Sequence, residues 1–142
     1  MIIREEVKLI TPYKLPLIMG NEFSGVIEEI GDNVENYKLG DRVYGRMPLN
    51  HIGAFAEYIT INEKEIATIP DYLSFEEAAC VPLTALTTLQ ALELMNFKKG
   101  ENIFISGGTG SLGAMAIPIA TKLGLNVITS GNIRKSEVND GF

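Results

Sequence analysis

Residues 102–129 constrain this chain more than any other stretch. Ile103-Phe104-Ile105 reads as a short buried strand, and Ser106-Gly107 leads into Gly108-Thr109-Gly110-Ser111-Leu112-Gly113, which has the G-x-G-x-x-G form. A helix is expected next, because Leu112, Met115, Ala116, Ile119, Ala120 and Leu123 recur at spacings of three and four and make one apolar stripe. Gly124 is expected to end it, and residues 127–129 supply a second apolar strand, which completes a strand-helix-strand crossover. In such a unit one glycine permits a tight turn, one lets a pyrophosphate approach the backbone, and the third lets the helix pack closely on the strand. The unpaired N–H groups of the first helical turn, at the positive end of the helix dipole, then face the phosphates. A glycine pattern alone is weak evidence, but one set between a strand and a correctly phased helix is much stronger. Gly108, Thr109, Gly110, Ser111, Leu112 and Gly113 are therefore candidate cofactor-binding residues.

The residues after that unit narrow the ligand. Sites that prefer NAD place an Asp or Glu about 20 residues beyond the glycines to hold the ribose 2′-hydroxyl, whereas NADP sites supply an arginine. Here the segment reads Ser130-Gly131-Asn132-Ile133-Arg134-Lys135, with no acid before Glu137. Two cations and small polar groups suit a 2′-phosphate, so Gly131, Asn132, Arg134 and Lys135 join the candidates and NADPH is the expected cofactor. Arg134 and Lys135 as ordinary solvated surface charges is the competing interpretation.

Composition removes several classes of function. At 142 residues the chain suits one domain or parts of two. Its 46% hydrophobic and 21% charged content is that of a globular protein and not of a disordered one. A net charge of −6 without a basic stripe argues against nucleic acid as a partner. Cys80 stands alone, which excludes an internal disulfide and a four-cysteine zinc cluster. No apolar run approaches the length of a membrane span, and the first residues lack a basic region followed by an apolar one. No membrane association and a reducing, cytoplasmic setting are the expectations.

Along the chain, residues 1–11 show no clear period, and Pro12 and Pro16 favour extended backbone. Residues 20–31 carry a β-rich run interrupted by glycines, and Gly31-Asp32-Asn33 is a turn signal. Residues 38–45 give a second turn and a short strand. Residues 53–61, rich in aromatic and β-branched side chains, are expected to form a third strand, and residues 66–69 a fourth, stopped by Pro70. Short strands at close intervals suggest a small barrel or sandwich. At Ser74 the texture changes: Ser74-Phe75-Glu76-Glu77 is a capping box. Pro82 opens the next helix, whose main run is expected over residues 83–95 with Leu86 and Leu89 inward and Leu92 a third candidate. Lys98-Lys99-Gly100 is expected to stop it. The domain boundary is placed near Leu73.

Taken together, Gly20-Asn21-Glu22-Phe23-Ser24-Gly25, Leu39-Gly40-Asp41-Arg42-Val43, Gly53-Ala54-Phe55-Ala56-Glu57-Tyr58, Glu77-Ala78-Ala79 and the run from Gly107 to Gly113 resemble the medium-chain dehydrogenase/reductase superfamily. Within it the likeness is to the zinc-independent, NADPH-dependent quinone oxidoreductase branch, and it covers residues 13–134. The resemblance implies an α/β plus β fold, with a partial GroES-like β-barrel catalytic domain over residues 1–73. Linking helices and the opening βαβ unit of a Rossmann cofactor domain would follow over residues 74–142. It also implies that relatives begin upstream of this sequence and continue well beyond Phe142.

The zinc-dependent branch carries a histidine ligand where this chain has Asn21, and a cysteine ligand near Leu83; neither ligand type is present here. Residues 44–53 are too short to contain the cysteine-rich lobe that holds structural zinc. His51 and Cys80 are too few for a catalytic zinc, which usually needs three protein ligands. The reaction implied by the resemblance is hydride transfer from NADPH to a small-molecule quinone or α,β-unsaturated carbonyl (enone), without a metal. The matching threonine, Thr87, would lie near the nicotinamide, and Tyr13 is a candidate substrate-side hydroxyl. Thr87 bonding back to its own helix, and Tyr13 as a surface aromatic beside prolines, are the competing interpretations. A homodimer is expected. The alternative function is a non-catalytic remnant or scaffold that self-associates through the edges of an incomplete sheet.

Overall fold

A computed structural model describes residues 15–131. The chain divides into two compact units, Met1–Pro82 and Leu83–Phe142.

The first unit is built on an antiparallel sheet of β1 (Glu22–Val26), β2 (Arg42–Arg46) and β3 (Ile66–Thr68), with β2 in the centre. Glu22 faces Arg46 and Val26 faces Arg42 across the first pair, while Val43 faces Thr68 across the second. Alternation along β2 turns Val43 and Gly45 to the buried side. Val43, Met47, Ile52, Ile69 and Ala78 form the buried apolar residues of this unit. Helix α1 (Phe75–Ala79) is strapped to the sheet by two side chains. Ser24 Oγ donates to the Phe75 carbonyl at 2.6 Å, and Arg42 Nη2 donates to the Leu73 carbonyl at 2.8 Å while its guanidinium lies 4.7 Å from the centre of the Phe75 ring. The expected capping box is present: Ser74 Oγ accepts from Glu77 N–H at 3.2 Å, and the Glu77 carboxylate accepts from Ser74 N–H at 2.8 Å.

Two expectations for this unit are corrected. Residues 53–61 form no strand. The N–H groups of Gly53 and Ala54 both donate to the Gly20 carbonyl and that of Phe55 to the Met19 carbonyl, a clasp between loops and not a ladder. Phe55 and Tyr58 are left 73% and 77% exposed. Strand-favouring residue types describe a side chain suited to a half-buried pleated surface, and they make a strand only where a neighbour is in place to pair. Consequently the described residues hold an open three-stranded sheet and no closed barrel or sandwich.

The second unit carries α2 (Pro82–Met95), β4 (Asn102–Ile105), α3 (Ser111–Lys122) and β5 (Asn126–Thr129). Strands β4 and β5 pair in parallel, Ile103 opposite Val127 and Ile105 opposite Thr129, and α3 forms the crossover between them, as the periodicity predicts. Leu92, Ile103, Ala120 and Leu125 make the core, flanked by Phe97, Ile105, Ile119 and Val127. Helix α3 ends in a Schellman motif, with Gly124 N–H donating to Thr121 and Leu125 N–H to Ala120 at 2.9 and 3.1 Å, which seats Leu125 in the core.

The inward face of α2 differs from expectation, whereas that of α3 follows it through Met115, Ala116, Ile119 and Ala120 and departs only at its two ends. On α2 it is Thr88 and Leu92, four residues apart, that are buried, while Leu86 and Leu89 are exposed. On α3 the buried line runs from Gly113 to Ala120, and Leu112 and Leu123 lie at its exposed margins. Helix α2 is apolar on most sides, so periodicity leaves its inward direction open and packing against Ile103 and Leu125 selects it. Helix α2 ends at Met95, as expected, and Asn96 just past it adopts φ 50°, a left-handed end.

Candidate functional site

The turn between β4 and α3 is shaped by which atoms it cannot accommodate. Gly107, and not Gly108, has the left-handed backbone, at φ 73°. Gly108 is buried because a side chain there would collide with Thr129 Oγ1 and stand 3.1 Å from Ile117 Cδ1. A Cβ at Gly113 would fall 2.5 Å from both the Gly107 carbonyl oxygen and Gly108 Cα, so the helix seats directly on the backbone of the turn. Gly107 thus turns the chain, Gly108 lets β5 approach, and Gly113, the third glycine of the pattern, lets the helix approach as expected.

Hydrogen bonding decides which amides remain for an anion. Gly107 N–H donates to Ser130 Oγ at 3.3 Å, Gly108 N–H to the Ser130 carbonyl at 2.7 Å and Gly110 N–H to the Gly107 carbonyl at 2.9 Å. Those three donors are committed within the protein. Gly110 is the N-cap of α3 and has no side chain to cap it. The first bond of the helix is Ala114 N–H to the Gly110 carbonyl, 2.8 Å. The N–H groups of Ser111 and Leu112 precede that bond, in the first turn where helix amides ordinarily lack an intrahelical acceptor. Gly110, Ser111 and Leu112 are exposed, so this end of the helix opens to solvent. From Ile105 to Gly131 the only ionisable side chain is Lys122, at the far end of α3. Backbone dipoles make this end positive, and no carboxylate within residues 105–131 opposes an anion there.

The end of β5 completes the arrangement. Thr129 Oγ1 donates to the Ile105 carbonyl at 2.7 Å, and Ser130 N–H donates to the same carbonyl at 3.3 Å. Gly131 lies against Thr109, whose Cγ2 would be 2.8 Å from a Cβ at 131. The structure therefore brings Gly108, Thr109, Gly110, Ser111, Leu112, Gly113 and Gly131 together. Tyr13, Asn132, Arg134 and Lys135 lie outside the described residues. Thr87 is exposed on α2, and its hydroxyl donates to the Leu83 carbonyl at 2.6 Å. That bond uses its hydrogen and leaves its lone pairs as acceptors. Sequence reasoning missed the parts played by Thr129 and Ser130. Their one signal was position, since Ser130 occupies the place about 20 residues beyond the glycines where an acid reads the ribose in NAD sites.

Among the described residues no three His, Cys, Asp or Glu side chains gather as a metal site. The backbone carbonyl of Asn21 accepts from Met47 N–H at 2.7 Å, and His51 lies exposed in a loop with its backbone N–H donating to the Pro48 carbonyl.

Known proteins share this fold. The Alcohol dehydrogenase GroES-like domain family matches residues 2–71. The mitochondrial NAD(P)H oxidoreductase RTN4IP1 of Dictyostelium discoideum is 39% identical over 131 residues, 87% of this chain and 37% of that protein. The crystal structure of Escherichia coli quinone oxidoreductase complexed with NADPH superimposes with a TM-score of 0.79 at 28% identity, over 95% of this chain and 41% of that one. The chain belongs to the medium-chain dehydrogenase/reductase superfamily. Another relative, the zinc-type alcohol dehydrogenase-like protein of Staphylococcus epidermidis, is 36% identical over 126 residues, 84% of this chain and 38% of that protein. This medium-chain dehydrogenase/reductase chain thus spans about two fifths of the length of the relatives it matches. Among the described residues no helix is long and apolar enough to cross a membrane.

Proposed function

We propose that this chain belongs to an oxidoreductase that transfers hydride from NADPH to a quinone or an α,β-unsaturated carbonyl without zinc. The observation that carries this reading is the open first turn of α3, uncapped by any side chain and set on glycines at van der Waals limits. A diphosphate would take the amides of Ser111, Leu112 and Gly113, with Gly110 leaving the approach clear. Gly131, Asn132, Arg134 and Lys135 would receive the 2′-phosphate, and residues 74–142 would form the cofactor-binding part. When bound, the nicotinamide supplies the hydride. Thr87 would offer lone pairs toward the nicotinamide end, and Tyr13 a hydroxyl toward the substrate. Absence of zinc is supported by Asn21 at one position where the zinc-dependent branch carries a ligand and by Leu83 near the other.

The test is a fluorescence titration with NADPH coupled to a quinone-reduction assay. Saturable binding with turnover supports the reading, and silence in both removes it for this chain. Replacing Arg134 with alanine is expected to weaken NADPH much more than NADH, and an equal loss for both would remove the NADPH preference.

A second reading, a non-catalytic scaffold that forms a homodimer, is favoured by a different observation. Phe104 and Ile128 face each other across β4 and β5 and are 64% and 57% exposed. Parallel sheets are ordinarily covered on both faces. Sedimentation of the chain and of a Phe104→Ser, Ile128→Ser variant decides it: a dimer that dissociates in the variant supports self-association, and a monomer at all concentrations refutes it.

A further inference from the structure

Both leading amides of the glycine turn end on one residue. Ser130 takes Gly107 N–H with its side-chain oxygen and Gly108 N–H with its carbonyl. Gly107 then passes the constraint on, because its carbonyl accepts from Gly110 N–H and is the atom on which Gly113 sits. A continuous series of contacts therefore runs from the end of β5 to the first turn of α3.

We propose that Ser130 is a positioning residue. Its hydroxyl oxygen holds the glycine turn in the conformation that presents the α3 amides, and so sets affinity for the diphosphate whether or not the ribose carries a 2′-phosphate. This rests on the dinucleotide-binding reading above.

The physical need for such a residue follows from the glycines. Glycine loses more backbone freedom on ordering than any other residue, and residues 107, 108, 110 and 113 are all glycine. A turn left to order on binding would subtract that entropy from the affinity, whereas a turn already held does not. Ser130 suits the task chemically, since a hydroxyl accepts from an amide without bringing a charge. The backbone bond to Gly108 is indifferent to the side chain at 130, so the Gly107 bond is the one that residue identity controls.

The experiment compares the chain with its Ser130→Ala and Ser130→Thr variants. Dissociation constants for NADPH and NADH are taken by fluorescence titration, and exchange of the Gly107 and Gly108 amides is followed by NMR without cofactor. Ser130→Ala is expected to weaken both dinucleotides by the same factor, roughly three- to tenfold for one lost hydrogen bond. It should speed exchange at Gly107 while Gly108 stays protected, and Ser130→Thr, which keeps the oxygen, should restore both properties. A loss confined to NADPH would overturn the proposal in favour of direct contact with the 2′-phosphate, as would unchanged exchange at Gly107. If the unsubstituted chain binds neither dinucleotide, the dinucleotide-binding reading falls and the proposal falls with it. Binding by the unsubstituted chain with a selective loss in the variant overturns the proposal alone.

Discussion

Replacing Gly113 with alanine tests the contact on which the turn depends. In isolation the change favours the helix, because alanine is about 1 kcal/mol better than glycine in a helix interior. At this position the new methyl would lie 2.5 Å from the Gly107 carbonyl oxygen and from Gly108 Cα, and 2.9 Å from the Gly108 carbonyl carbon. Carbon atoms prefer a separation of about 3.5–4.0 Å, so the approach is roughly 1 Å too close. All three atoms belong to the backbone, and no side-chain rotation relieves the overlap. Overpacking of this kind costs about 1–3 kcal/mol, and rigid neighbours place it in the upper half of that range. After the gain in propensity, a net loss of about 1–2 kcal/mol is expected. Urea unfolding followed by far-UV circular dichroism reads it directly. The helix would relieve the overlap by withdrawing from the turn, which moves the amides of Ser111 and Leu112, so NADPH affinity should fall by about tenfold or more. Gly25→Ala is the control of opposite sign. Its Cβ would meet nothing within 4 Å, its φ is not positive, and in a strand interior alanine is about 0.5–1 kcal/mol better than glycine. A Gly113→Ala chain as stable as the parent and binding NADPH equally would refute the close-approach argument.

Further expectations concern other parts of the chain. Thr88 is 3% exposed and its Oγ1 has no hydrogen-bond partner among the described residues, so Thr88→Val should raise stability by about 1–2 kcal/mol in urea unfolding; a decrease would mean that the hydroxyl has a partner. Ser74→Ala removes the capping box and should lower stability by about 1 kcal/mol, with no loss counting against a role for the cap in the fold. The carboxyl of Glu63 is held below its ordinary pKa, chiefly by the backbone N–H and then the side chain of Asn36. Because the folded value is the lower one, its contribution is complete above the ordinary carboxylate pKa and is lost as pH falls through the folded value. Protection of the Asn36 amide, relative to its intrinsic exchange rate, should fall as pH drops below the ordinary carboxylate range and lose that pH dependence in Glu63→Gln; identical profiles would remove the assignment.

The elements legible in advance were those specified by neighbours in sequence. Ser74 and Glu77 satisfy each other's donors across three residues, Gly124 and Leu125 close α3 with bonds reaching three and five residues back, and the β4-α3-β5 order follows from period and punctuation. Such interactions are complete within one or two turns, so residue types at fixed spacing determine them. Residues 53–61 failed as a strand for the complementary reason. Aromatic and β-branched side chains state a preference, but a strand needs a partner backbone, and the donors of Gly53, Ala54 and Phe55 were claimed by Met19 and Gly20.

The glycine turn divides in the same way. Sequence alone determined that a helix start, bare of side chains and without a nearby acid, would follow a strand, because the G-x-G-x-x-G spacing and the absence of a carboxylate from Ile105 to Gly131 are local facts. Only tertiary structure decided which amides stay available. Ser130 lies 23 residues beyond Gly107, and it takes the Gly107 and Gly108 donors solely because β5 returns parallel to β4 with Thr129 opposite Ile105. The inward face of α2 was settled there too: Leu92 rather than Leu86 or Leu89 turned inward because Ile103 and Leu125 lie on its side. A hydrogen bond or a buried contact needs a partner within about 3–4 Å, and for residues far apart in sequence only the folded backbone provides it.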